Sequence, residues 1–251
     1  MSIPQWLAAA GWGALAGSAL LLGAALAYFL DLGQRLIAGI MALGSGVLIS
    51  ALAFDLMDEA YRRGGFDSTS AGFIGGAVVY TGANWLLARA GAKHRKRSGD
   101  RQAEPAENNG FAIFVGSLLD GIPESVAIGV SLLEGGTVSF VTVVAIFLSN
   151  VPEGLSSTAG MRRARRSALY IFGLWGAAVL VSGAAALAGN LLLRGVSPDV
   201  IAAITAVAAG AILAMLTDTM VPEAFAEAHN FAGLITAVGF LCAFMLSKLG
   251  A

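Results

Sequence analysis

The chain has 251 residues, 57% of them apolar and only 12% charged. Soluble domains carry about 45–50% apolar and about 25% charged residues, so a water-soluble globule is excluded. A net charge of −1 excludes a nucleic-acid binder as well, since that class needs a positive excess to displace counterions.

Apolar runs separated by charged or turn-rich breaks predict eight helices in chain order. They fall at roughly 5–30, 34–57, 71–90, 111–133, 137–160, 168–193, 199–222 and 231–249. Mean hydropathy is +0.77, which leaves little room for a soluble domain beside them. The expected fold class is therefore an all-α integral membrane protein, one transmembrane domain over residues 1–251. The 33 glycines suit helices that pack closely in lipid. The first run (MSIPQWLAAAGWG) has no basic segment ahead of it and reads as a span, not a cleaved leader. Trp6, Trp12, Trp85 and Trp175 sit mostly toward span ends and read as interfacial anchors.

The polar stretch from Lys93 to Asn109 lacks apolar periodicity and reads as a mobile loop over about 91–110, with His94 an incidental member. Cys242 is the single cysteine, so a disulfide framework and a Cys-based zinc site are both excluded. Eight spans put both termini on one side. With termini outside, the inner loops hold 11 of the 15 Lys and Arg residues, and the outer side keeps Arg62, Arg63, Arg194 and Lys248. The positive-inside rule selects that orientation.

The second span ends Phe54-Asp55-Leu56-Met57-Asp58-Glu59, and the seventh ends Thr217-Asp218-Thr219-Met220-Val221-Pro222-Glu223. Each is followed by a polar turn and a Gly-rich apolar helix. Two such hairpins of opposite orientation are what inverted-repeat transporters show.

Ionisable groups inside spans cost roughly 2.5–3.5 kcal/mol each, so each is a functional candidate. The fourth span reads Leu119-Asp120-Gly121-Ile122-Pro123-Glu124-Ser125, and the fifth Leu148-Ser149-Asn150-Val151-Pro152-Glu153-Gly154. Residues four apart share a helix face. Asp120 therefore aligns with Glu124, and Ser149 with Glu153, with Asn150 beside them. Pro123 and Pro152 remove one backbone bond each and predict a kink and a freed carbonyl, at Leu119 and Leu148. Two such faces opposed would gather three carboxylates, an amide and a hydroxyl, an all-oxygen set that reads as a cation site. A single buried Glu has a plainer reading, a protonated side chain bonded to a Ser. Two Pro-Glu pairs on consecutive helices argue against it.

These segments resemble the ZIP (Zrt-/Irt-like) family of divalent metal transporters, whose fourth and fifth spans carry His-Asn-x-Pro-Glu-Gly and x-x-x-Pro-Glu-Gly. The likeness extends to eight spans, outside termini, a long loop after the third span and a Pro-Glu-Ala at the end of the seventh. It implies a 3+2+3 inverted-repeat bundle, a homodimer in a bacterial inner membrane, and a metal site between the fourth and fifth helices. It also implies elevator-like movement of the first, fourth, fifth and sixth spans against the other four. Asp120 stands at the family's metal-ligating His and Gly121 at the following Asn; Glu124, Ser149, Asn150 and Glu153 match further ligand positions. The sixth span has no carboxylate, which argues against a second metal. Oxygen-only ligation shifts preference from zinc toward manganese, ferrous iron or magnesium.

Asp55, Asp58 and Glu59 form an acidic face at the outer end of the second span, while Asp218, Glu223, Glu227 and His229 lie at the inner end of the seventh. They read as entrance and exit of a cation path, or as ordinary interfacial polar groups. Asp55 and Asp218 sit deepest in the sequence pattern; Glu223, in the Pro222-Glu223 pair that resembles the family's exit segment, comes next. The expected partners are a divalent metal ion as cargo and the lipid bilayer, with no cofactor and no enzymatic activity. Two other classes remain open. One is a proton or monovalent-cation pathway on the same carboxylates. The other is an intramembrane metal-dependent hydrolase, which catalytic zinc's need for His ligands disfavours.

Overall fold

A computed structural model describes residues 3–89, 109–134 and 140–249, with the side chains of 109–114, 134 and 141 left aside. The segment from Lys93 to Asn108, with His94 and most of the expected loop, lies outside the described residues. Among those described, every regular element is helical. Helix α1 spans Gln5–Phe29, α2 Gln34–Ala51 and α3 Met57–Leu87; α4 spans Asn109–Ser131, α5 Phe140–Arg163 and α6 Ala168–Leu192. The chain ends in α7 Pro198–Met215, α8 Val221–Ala228 and α9 Ala232–Leu249. Four helical stretches among the described residues are long and apolar enough to cross a membrane: Gln5–Phe29, Gln34–Leu87, Ala168–Leu192 and Pro198–Leu249.

Two of these stretches, of 54 and 52 residues, exceed by far the about 20 residues that one crossing needs. Each is broken once by a positive φ, at Gly65 (φ 64°, ψ −164°) and at His229 (φ 43°, ψ −119°). Glycine takes that conformation without a steric penalty, whereas a histidine there is strained. Each stretch therefore makes two rods. Ahead of each break the same sequence of elements recurs. An α-helix of 18 residues passes into a five-residue π-helical segment, Leu52–Leu56 (π1) or Leu216–Met220 (π2). The short echo around Asp55 and Asp218 thus marks a backbone irregularity that both rods share.

Helix ends differ from the expected ones where charged residues pair. The second rod does not stop at residue 57 but stays helical through Arg62 and Arg63. There Arg62 Nη2 lies 3.3 Å from Asp58 Oδ2 and 3.2 Å from Glu59 Oε2, and Arg63 Nε also bonds Glu59. Ion pairs at three- and four-residue spacing support a helix beyond its apolar part. Likewise the seventh rod continues past residue 222 to Ala228. Trp175 is a correction: it is no interfacial anchor but fully buried, its indole N–H donating to Thr158 Oγ1 at 2.9 Å. Trp6 and Trp85 are exposed, as an anchor requires.

The helices can be laid out as two groups that also touch each other. Helix α1 lies against α5 and α6, and α6 against α4; in the other group α3 lies along α7 and α2 along α9, with α8 beside α2; α2 on α5 and α4 on α7 join the two. Inside each group, glycines bring backbones into direct contact. A Cβ at Gly23 would meet Leu155 N at 2.7 Å, and one at Gly154 would meet Leu20 Cα at 2.9 Å, so α1 and α5 touch reciprocally. Gly46 and Gly239 do the same for α2 and α9, and Gly76 and Gly210 for α3 and α7. Between the groups the contact is made by side chains. Met41, Leu48 and Leu52 meet Ala127 and Leu155 in one apolar core with Ile212, Leu216 and Met220.

Candidate cation site

Helices α4 and α5 run unbroken through Pro123 and Pro152. They barely touch each other: α5 is held on α1 and α2, and α4 on α6 and α7. Their polar faces turn inward: Asp120, Glu124, Ser149, Asn150 and Glu153 are all buried, with Asp120 and Glu124 at 1% exposure and Glu153 at 4%.

Asp120 Oδ1 accepts the phenolic O–H of Tyr80 on α3 at 2.6 Å, and that ring is itself buried. The bond has the short length of a charge-assisted pair and crosses from one helix group to the other. One turn further along α3, Asn84 Nδ2 donates to Asp218 Oδ2 in π2 at 3.1 Å. Asn150 Nδ2 donates to the Ala16 carbonyl on α1 at 3.0 Å, which fixes the amide and leaves its Oδ1 as the atom for a cation. Ser149 Oγ donates to the Ile146 carbonyl at 2.9 Å, so its lone pairs remain for ligation.

At the end of the seventh rod the burial order is the reverse of that expected. Asp218 and Glu227 are exposed, whereas Glu223 is buried and its Oε1 accepts from Ser156 Oγ of α5 at 3.2 Å. Ser156 lies three residues beyond Glu153, so the polar face of α5 continues to Glu223. His229 is exposed at the backbone break. At the end of the second rod, Asp58 and Glu59 are held by Arg62 and Arg63 of their own helix, which neutralises much of the acidic face. Asp55 pairs differently, accepting from Ser247 of α9 at 2.9 Å.

Among the described residues no three of His, Cys, Asp and Glu are gathered closely enough to hold a metal ion. The three-carboxylate convergence drawn from spacing is not reached among them, and Asp120 is bonded to Tyr80 of α3. What lies inside is a line of acids with neutral oxygen groups beside them: Asp120 with Tyr80, Glu124, Glu153, and Glu223 with Ser156. Sequence reasoning missed Tyr80, Asn84 and Ser156. A signal existed for the first two, since they are polar groups four apart in an otherwise apolar span.

Four buried carboxylates would cost about 10–14 kcal/mol on insertion scales, comparable with the entire stability of a domain. A bound cation or protonation would offset that sum. No protein-family model matches this chain, and no curated protein matches it either.

Proposed function

We propose that the protein carries divalent metal ions across a membrane by alternating access, with the ion held on the facing oxygens of α4 and α5. The observation that carries this reading is the burial of Asp120, Glu124 and Glu153 on two helices held apart from each other. A protein keeps four costly acids inside a membrane for a purpose, and an all-oxygen set suits a hard cation. In this reading Asp120, Glu124 and Glu153 supply charge, and Asn150 Oδ1 and Ser149 Oγ supply neutral ligands. Glu223 and Asp218 line the inner exit.

The two-group packing supports movement of α1, α4, α5 and α6 as one body against the other rods. Glycine-sealed backbones stiffen each group, and a side-chain interface between them can slide. The recurring helix–π–helix arrangement and the paired contacts support an inverted repeat: α1 on α5 answers α6 on α4, and α3 on α7 answers α9 on α2. The resemblance to ZIP transporters adds the expectation of eight spans, termini outside, a bacterial inner membrane and a homodimer. The test is manganese, ferrous iron and zinc uptake into proteoliposomes by the purified protein. Uptake by the wild type and its loss in Glu124→Gln and Glu153→Gln, both still folded, uphold the reading; a proton current without metal flux replaces it with the proton pathway.

A further inference from the structure

We propose that the cavity at the outer ends of the second, fourth, fifth and seventh rods is a second site for a hard divalent cation, guarded by Arg62. The proposal rests on the transport reading for the ion's route and stands on separate residues. The cavity holds about 130 Å³ and is lined by Asp55, Glu59, Arg62, Ser131, Thr142 and Thr205. A water takes about 30 Å³, so an ion with several of its waters fits. Ala127, also in the lining, lies three residues beyond Glu124 on the same face of α4, so the cavity adjoins the buried acids.

Thr205 points to a ligand independently of the acids. It is 5% exposed, and its Oγ1 has no hydrogen-bond partner. A threonine inside a helix ordinarily returns its hydroxyl to a carbonyl one turn back, as Thr219 does to Met215 at 2.6 Å and Thr217 to Leu213 at 3.1 Å. Thr205 does not, and a buried unbonded hydroxyl costs about 1–3 kcal/mol. Asp55 has the same need on one side only: Oδ1 takes the Ser247 proton, while Oδ2 is buried without a partner. Ser131, whose hydroxyl donates to the Ile128 carbonyl at 2.8 Å, brings another hydroxyl oxygen to the lining. Carboxylate and hydroxyl oxygens with no nitrogen or sulfur choose manganese, magnesium or calcium.

Arg62 sits at the rim on Asp58 and Glu59, with 63% of its side chain exposed. It is a tethered cation that an arriving ion must displace from Glu59. Its surface pairs are weak, so the guard yields readily and lowers the site's affinity without closing it.

The test is manganese binding to the full-length protein, followed by electron paramagnetic resonance, in a variant combining Asp120→Asn, Glu124→Gln and Glu153→Gln. One ion is expected to remain bound. Adding Asp55→Asn should weaken it at least about tenfold, the lower range for loss of a metal-site group. Adding Arg62→Gln should tighten it about three- to fivefold, the worth of an exposed pair. No bound manganese, or binding that both additions leave within about twofold, overturns the proposal and leaves the cavity to water. Should the combined variant misfold, Asp55→Asn alone must reduce the wild type from two ions to one; two ions retained overturns the proposal equally. A wild type that binds no more ions than the combined variant would sink the inner site while the outer one stands.

Discussion

Gly44 offers a way to separate sliding from packing. A Cβ there would lie 2.6 Å from Pro152 Cγ, a contact between the two helix groups, and 3.5 Å from Met220 Cε of its own group. At Gly154, within one group, the added atom would lie 2.9 Å from Leu20 C and Cα, against an ordinary contact that begins at 3.4 Å. Backbone cannot give way as a side chain does, so Gly154→Val must push α1 from α5. Overpacking of this kind costs about 1–3 kcal/mol, offset only by the few tenths that valine gains over glycine in a helix. At about 2–4 °C per kcal/mol, the melting temperature in detergent should fall by about 2–12 °C. Gly44→Val meets its obstacle across the interface, and displacement of the groups relieves it. Its melting temperature should change by less than about 1 kcal/mol-equivalent, while initial manganese uptake per folded protein drops severalfold. Equal destabilisation by both variants, with uptake per folded protein unchanged at Gly44, would refute two bodies that move past each other.

Tyr80→Phe removes the donor to buried Asp120 and should cost about 1.5–3 kcal/mol, read as a lower melting temperature in chelator. Arg162 Nη1 donates to the Ala27 carbonyl at 2.7 Å near the C-terminal end of α1, and its guanidinium lies 5.6 Å from the Tyr28 ring centre. Arg162→Gln should therefore cost about 1 kcal/mol in thermal melts, with the loss reduced at high salt. Glu223→Gln keeps an acceptor for Ser156 but drops a charge at the proposed inner exit; manganese release into liposomes should slow while equilibrium binding holds. Metal ligands must be deprotonated to bind, so uptake should fall as pH is lowered into the carboxylate range, measured at constant manganese.

Much of the architecture is legible in the sequence because lipid imposes so few solutions. Apolar runs locate the rods, and the Asp55 and Asp218 echo marks two π segments. The rod ends are less legible. Hydropathy alone stops the second rod at residue 57, whereas ion pairs among Asp58, Glu59, Arg62 and Arg63 carry its helix on. Helical spacing aligns Asp120 with Glu124 correctly, and both are buried. Spacing along one helix says nothing of what crosses from another, so it marks Tyr80 as a polar group in an apolar span but not its bond to Asp120, nor the deep position of Glu223 against Ser156. Trp175 shows the same limit: its place in an apolar run fits lipid or core equally, and its bond to Thr158 decides for core.

The most direct test of the central claim is to locate a manganese ion by its anomalous scattering in crystals of the full chain grown with that metal. The account predicts a peak with oxygens of Glu124 or Glu153 in its coordination shell, at about 2.0–2.6 Å. A peak found solely at the outer cavity or on the surface, or none at saturating manganese, would contradict it.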